Sequence, residues 1–243
     1  MTLAGKTAVI TGGGTGIGQG IALALAGAGC QVVVTGRRED KLQETASAFT
    51  GTPAIKFHTV DVGDRASVAE LFAWLAKEVG QVDILVNNAG VNVPKRKMVD
   101  LTHEDWDKMM NINATGVFNC IHAVLPQMME RHDGLIVNIS SIAGKRASVL
   151  GGAGYSATKF AVSALGGTLA LEQGKNGIRV SNVYPGEVAT PILDNRPVPV
   201  TAEHKARILQ PEDLGAAVLM ICLLPPRAHV PELIIKPTTQ DYA

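Results

Sequence analysis

Short β-branched runs alternate with longer amphipathic stretches along almost the whole chain, and nothing else in it constrains the fold so tightly. Residues 7–10, 31–35, 55–60, 83–86, 135–139 and 179–184 read as strands. Between them, 16–29, 39–49, 65–79, a long segment within 106–131, and 155–173 carry helical spacing. Strand, helix, strand is the repeating unit of a parallel sheet with helices on both faces. Beyond residue 184, Pro185, Pro191, Pro197, Pro199 and Pro211 punctuate a stretch expected to be irregular. A helix at 212–223 and a short last strand at 233–235 follow. No repeat, linker or low-complexity tract divides the 243 residues. They are therefore expected to form one α/β domain, 1–243, built on a doubly wound parallel sheet.

Composition removes several function classes. Hydrophobic residues make up 46% of the chain and charged residues 18%, which suits a sizeable core. The formal charge is zero, so no global field draws the chain to nucleic acid or to an anionic membrane. The apolar run 21–30 ends at Gln31 and is too short to span a bilayer. Met1 to Lys6 lacks the apolar stretch of a signal peptide. Cys30, Cys120 and Cys222 are odd in number and widely spaced, matching neither a disulfide framework nor a zinc pattern. The six histidines are scattered without ligand spacing, so no metal is implied. These features lead us to expect a cytoplasmic protein with reduced cysteines and no nucleic-acid or membrane partner.

Two local patterns carry chemistry. The first is Thr11-Gly12-Gly13-Gly14-Thr15-Gly16-Ile17-Gly18, between the first strand and the first helix. Glycines there let the backbone turn sharply and approach a pyrophosphate, which the free N–H groups of a helix N-terminus bind. The string is TGxxxGxG rather than GxGxxG, and Gln19 stands where a P-loop would have its lysine. The second pattern is Tyr155 with Lys159, which share one face of a helix. An ammonium beside a phenol favours the phenolate and would bring Tyr155 toward working pH as a proton donor or acceptor.

Taken together, TGxxxGxG, Asn87-Asn88-Ala89-Gly90, Ser140-Ser141, Tyr155-x-x-x-Lys159 and Tyr184-Pro185-Gly186 resemble, in order and spacing, the short-chain dehydrogenase/reductase family. The likeness covers essentially the whole chain. It implies a Rossmann-type fold and hydride transfer between a nicotinamide cofactor and a small carbonyl or alcohol. By the resemblance, Gly12, Thr15, Gly16, Ile17 and Gly18 hold the pyrophosphate, and Asp61 and Val62 contact the adenine. Asn88, Ala89 and Gly90 line the adenosine ribose, while Pro185, Gly186, Val188 and Thr190 border the nicotinamide. Tyr155 is the expected acid. Ser141 is the preferred donor to the carbonyl oxygen, with Ser140 as its alternative on the opposite strand face. Lys159 is expected to lower the phenol's pKa and to bind the nicotinamide ribose. Asn113, with Asn111 as alternative, would hold a water linking Lys159 to solvent. The segment around 190–210 resembles a substrate lid, in which Arg196, Lys205 and Arg207 are either contacts for an anionic substrate or solvated charges. Relatives are commonly homodimers or homotetramers.

Cofactor choice turns on the end of the second strand. An acid there binds a ribose 2′-hydroxyl, whereas a 2′-phosphate needs a cation. This chain has Gly36-Arg37-Arg38, and arginine forks onto phosphate. NADP is therefore expected, with NAD left open because Glu39 or Asp40 lies close by. Two readings from other classes remain. One is a catalytically silent dinucleotide sensor on the same fold. The other is a methyltransferase, which needs no Tyr-x-x-x-Lys helix.

Overall fold

A computed structural model describes residues 2–241. Among these, seven strands form one parallel sheet: β1 (Thr7–Thr11), β2 (Gln31–Gly36), β3 (Lys56–Thr59), β4 (Ile84–Asn87), β5 (Gly134–Ile139), β6 (Ile178–Pro185) and β7 (Glu232–Ile235). Their order across the sheet is β3-β2-β1-β4-β5-β6-β7, with every pairing parallel. The order reverses between β1 and β4, and the crevice outside the carboxyl ends of such a pair is where this architecture places ligands.

The strands are buried on both sides, so alternate residues feed two cores. Ala8 and Ile10 of β1, Val32 and Val34 of β2, and Leu135 and Val137 of β5 face one core. That core is closed by α1 (Gly16–Gly27) and α8 (Pro211–Leu223), with Leu42 from α2 (Glu39–Ser47). Val9, Val33, Leu85 and Ile136 point the other way, onto α3 (Arg65–Glu78), α5 (Gly116–Glu130) and α6 (Ala153–Gln173). The expected doubly wound α/β architecture is present.

A polar chain runs through this apolar interior. Asn87, Asn138 and Asn182 are register partners on β4, β5 and β6. Asn87 Nδ2 donates to Asn138 Oδ1 at 2.9 Å, and Asn138 Nδ2 to Asn182 Oδ1 at 3.0 Å. Asn182 Nδ2 then donates to the Ser163 carbonyl on α6 at 3.1 Å. These bonds offset much of the cost of burying three amides, of which Asn87 Oδ1 alone is left without a partner among the described residues.

Differences from expectation lie mostly at element ends and in two segments. The helix sought within 106–131 begins earlier, as α4 (His103–Met110), because Thr102 Oγ1 accepts the Asp105 N–H at 3.1 Å and caps it. It then widens into a π-helical turn, Asn111–Thr115, before α5. The helix expected from 155 starts at Ala153, directly after Gly152 in the left-handed region at φ 81°. The stretch read as irregular contains a 3₁₀ turn, Pro191–Asn195, and the short helix α7 (Ala202–Arg207), capped by Thr201. Among the described residues no helix is long and apolar enough to cross a membrane.

Candidate active site

One cleft of about 800 Å³ opens over the carboxyl ends of the strands. Its floor at the first crossover is built by Thr11, the last residue of β1. Thr11 Oγ1 accepts the N–H groups of Asn88 and Ala89, each at 3.0 Å. Asn88 Nδ2 returns bonds to the carbonyls of Thr11 and Gly12. The ends of β1 and β4 are thereby tied together beneath the glycine turn.

Helix α1 begins at Gly16 without a side-chain cap and with no acid in its first turn. Its leading N–H groups thus have no side-chain acceptor, and the helix dipole adds partial positive charge there. Gly12, Thr15, Gly16 and Ile17 line the cleft at this point. Gly18 does not. A Cβ on Gly18 would fall 2.4 Å from the Gly12 carbonyl oxygen and 2.5 Å from Asn88 Nδ2. Gly18 thus packs the start of the helix closely against the turn.

Arg37 and Arg38 are exposed and line the same cleft at the end of β2, with Arg38 Nη2 donating to Thr15 Oγ1 at 3.4 Å. Glu39 and Asp40 occupy the first turn of α2, where the helix dipole favours acids. Asp61, Val62, Asn88, Ala89 and Gly90 line the middle of the cleft. Pro185, Gly186, Val188 and Thr190 line its far side.

At the far end Ser141, Tyr155 and Lys159 share the wall. The two serines separate as strand alternation requires. Ser140 is buried, its Oγ bonded to the Lys159 carbonyl and to Ser163 Oγ, each at 3.1 Å. Ser141 Oγ accepts the Ala143 N–H at 3.1 Å, a bond that does not use its own hydrogen. Its hydroxyl also acts on the Tyr155 phenol.

Lys159 is buried. Its Nζ donates to the Ile139 carbonyl at 2.8 Å and stands 5.6 Å from the centroid of the Tyr155 ring. Burial pushes this ammonium down to about 8. Tyr155 behaves differently from expectation. Burial pushes the phenol up, and the opposing influences are the Ser141 hydroxyl and the charge of Arg96. Lysine alone does not make this phenol acidic, because removing water from the site disfavours both charged forms at once.

Asn113 lies behind the cleft wall rather than on it. Its Oδ1 accepts the Val91 N–H at 2.8 Å, and Nδ2 donates to the Val91 carbonyl and to Thr158 Oγ1. Asn113 Oδ1 and Lys159 Nζ lie 3.5 Å and 3.7 Å from where a Cβ on Gly90 would sit, so the two share one neighbourhood. The π-helical turn brings Asn113 to this position. Asn111 is exposed and faces Gly63 instead. Arg96, Glu187 and Gln240 are among the cleft residues that were not anticipated. Gln240 Oε1 accepts the Glu187 N–H at 2.9 Å, bringing the C-terminal segment against the far side of the cleft.

Comparison with known proteins agrees with this geometry. The sequence model described as short chain dehydrogenase matches residues 6–198. The chain belongs to the short-chain dehydrogenase family. Among its relatives is an uncharacterized oxidoreductase of Staphylococcus saprophyticus, 35% identical over 242 residues, covering 98% of this chain and 99% of that one. Similar solved structures include the closed form of a serine dehydrogenase complexed with NADP+ (TM-score 0.89, 32% identity, 98% and 97% covered). An alcohol dehydrogenase from the archaeon Thermococcus sibiricus, complexed with 5-hydroxy-NADP, gives a TM-score of 0.87 at 29% identity, with 97% and 98% covered. This member of the short-chain dehydrogenase family is thus an oxidoreductase by kinship as well as by architecture.

Proposed function

We propose that the chain interconverts a small carbonyl compound and its alcohol with NADP(H) as cofactor. The observation that carries this reading is the meeting, in one cleft, of an uncapped glycine-turn helix with the Ser141–Tyr155–Lys159 cluster. The uncapped N–H groups of α1 would hold the pyrophosphate, and Arg37 with Arg38 the 2′-phosphate. Asp61 and Val62 would meet the adenine, and Pro185, Gly186, Val188 and Thr190 the nicotinamide. Solved relatives bound to NADP+ and 5-hydroxy-NADP support the phosphate-bearing form.

When bound, the reduced cofactor supplies two electrons and a hydrogen to the carbonyl carbon. Ser141 donates its O–H to the carbonyl oxygen, where negative charge gathers. Tyr155, held neutral by burial, passes its phenolic proton to that same oxygen to complete the alcohol. Lys159, pushed down to about 8, is poised to return a proton to Tyr155, with Asn113 beside it. In the opposite direction the same groups take the proton up. The segment around 190–210 covers the substrate end as a lid. Half-exposed aromatic side chains on α4, α5 and α6 (Trp106, Phe118 and Phe160) support assembly into a homodimer or homotetramer. We place the protein in the cytoplasm.

Tyr155→Phe tests the reading. With a panel of ketones, aldehydes and hydroxy acids, it should lower kcat by roughly a hundredfold to ten-thousandfold while leaving NADPH affinity near the parent value. Near-native turnover in the variant would place the acid elsewhere. Tight NADPH binding by the parent, with no turnover on any member of the panel, would favour the sensor.

A further inference from the structure

Arg96 lies in Pro94-Lys95-Arg96-Lys97, where both lysines are exposed and only the arginine turns inward, to 7% exposure. Its guanidinium joins three walls of the cleft. Nε donates to the Val93 carbonyl at 2.9 Å, Nη1 to the Leu150 carbonyl at 3.1 Å, and Nη2 to the Asn195 carbonyl. Gly152, at φ 81°, packs directly on it: a Cβ there would fall 2.5 Å from the Arg96 carbonyl oxygen. The arginine is therefore held in place before any ligand arrives.

Its charge is not matched. Among the described residues no carboxylate lies within ion-pair distance of Arg96. The lid cations differ in this respect. Arg196 is paired with Glu187 at 3.0 Å, Lys205 with Asp194 at 3.4 Å, and Arg207 with Glu203 at 2.7 Å. Glu187, the one acid on this part of the wall, is already shared by Arg196 and His204. Three carbonyls occupy three of the five guanidinium N–H groups, leaving one on each terminal nitrogen. Burying a cation without its counter-charge is costly. Clamping the three carbonyls uses only three of the five N–H groups, so it leaves two donors and the charge itself without a partner. Arg96 also lies close enough to Tyr155 for its charge to act on the phenol.

Building on the carbonyl-reduction reading above, we infer that Arg96 anchors a carboxylate on the substrate, so that the preferred substrates are short oxo acids and their hydroxy acids. The two remaining N–H groups form a forked, charge-assisted pair with the carboxylate. The small wall of Ser148, Leu150 and Gly151 limits chain length.

The test compares pyruvate with methyl pyruvate, and acetoacetate with methyl acetoacetate, using NADPH and NADH, in the parent, Arg96→Met and Arg96→Lys. The parent should favour at least one acid over its ester by tenfold or more in kcat/KM. Arg96→Met should lower the acid at least tenfold more than the ester, chiefly through KM, and Arg96→Lys should restore part of that gap. Equal loss on acid and ester, or no acid preference in the parent, would overturn the inference and leave the reaction class standing. Silence on every pair would instead sink the carbonyl-reduction reading. Calorimetric titration with propanoate and propanamide then decides Arg96 independently of turnover. Propanoate binding that Arg96→Met weakens tenfold supports the anchor, and equal binding of acid and amide refutes it.

Discussion

Replacing Lys159 by methionine measures how strongly the reacting end is tuned. Lys159 is 5% exposed, and burial carries its ammonium from 10.5 down to about 8. Proton counting gives the sign. Between about pH 8 and 10.5 the unfolded chain keeps a proton on this lysine that the folded chain has released, so stability rises with pH through that window. Below it both states are charged, and the folded state carries a cost of about 3 kcal/mol at roughly 1.4 kcal/mol per pH unit. Methionine removes the charge and fills similar volume. It also forfeits the bond to the Ile139 carbonyl, a loss of roughly 1–3 kcal/mol that depends little on pH. The diagnostic quantity is therefore the difference between variant and parent. Relative to the parent, the variant should lose about 2 kcal/mol between pH 7 and pH 9.5. Cys30, Cys120 and Cys222, each pushed up to about 12, weaken the fold in the alkaline range, but they are common to both proteins and cancel. Denaturant midpoints across that pH range supply the measurement. A difference that stays flat with pH would refute the tuning of Lys159 and, with it, the proton-return role.

Asn138→Leu should destabilise the fold by about 3 kcal/mol, because it strands the amide of Asn87 and the Oδ1 of Asn182 in the core. Chemical denaturation reads this directly, and a loss under about 1 kcal/mol would mean that the remaining amides find other partners. Arg37→Asp should weaken NADPH binding roughly tenfold to a hundredfold while sparing or improving NADH, followed by nicotinamide fluorescence. Unchanged NADPH affinity would remove Arg37 from the phosphate site.

The strands were legible because a parallel sheet buried on both faces demands continuous β-branched runs, such as Val32-Val33-Val34, bounded by glycine and polar residues. The Tyr155–Lys159 pair was legible from its spacing together with the upstream serine pair and the glycine-rich turn. Arg96 was not, since a basic tetrapeptide reads as solvated surface until the chain around it is folded. The acidity of Tyr155 was misjudged for a related reason. Spacing reveals a neighbouring charge, whereas desolvation belongs to the surroundings, and here it pushes the phenol up. Helix α7 was hidden by prolines that interrupt its flanks rather than its interior. The break between α4 and α5 was equally hidden, because no residue type marks a π turn.

That widened turn at Asn111–Thr115 has a bearing on which length changes the gene can tolerate. A π turn accommodates one residue more than an α-helix in the same span. Deleting any one of the five would close the segment to ordinary helix over the same span and leave α4 and α5 in register. Val117, Ile121 and Val124 would keep their places in the core. Asn113 would lose its reach to the Val91 backbone in the same stroke. A one-residue deletion within the turn would thus spare the fold and cost the arrangement around Asn113, whereas the same deletion elsewhere in α5 has no spare residue to draw on.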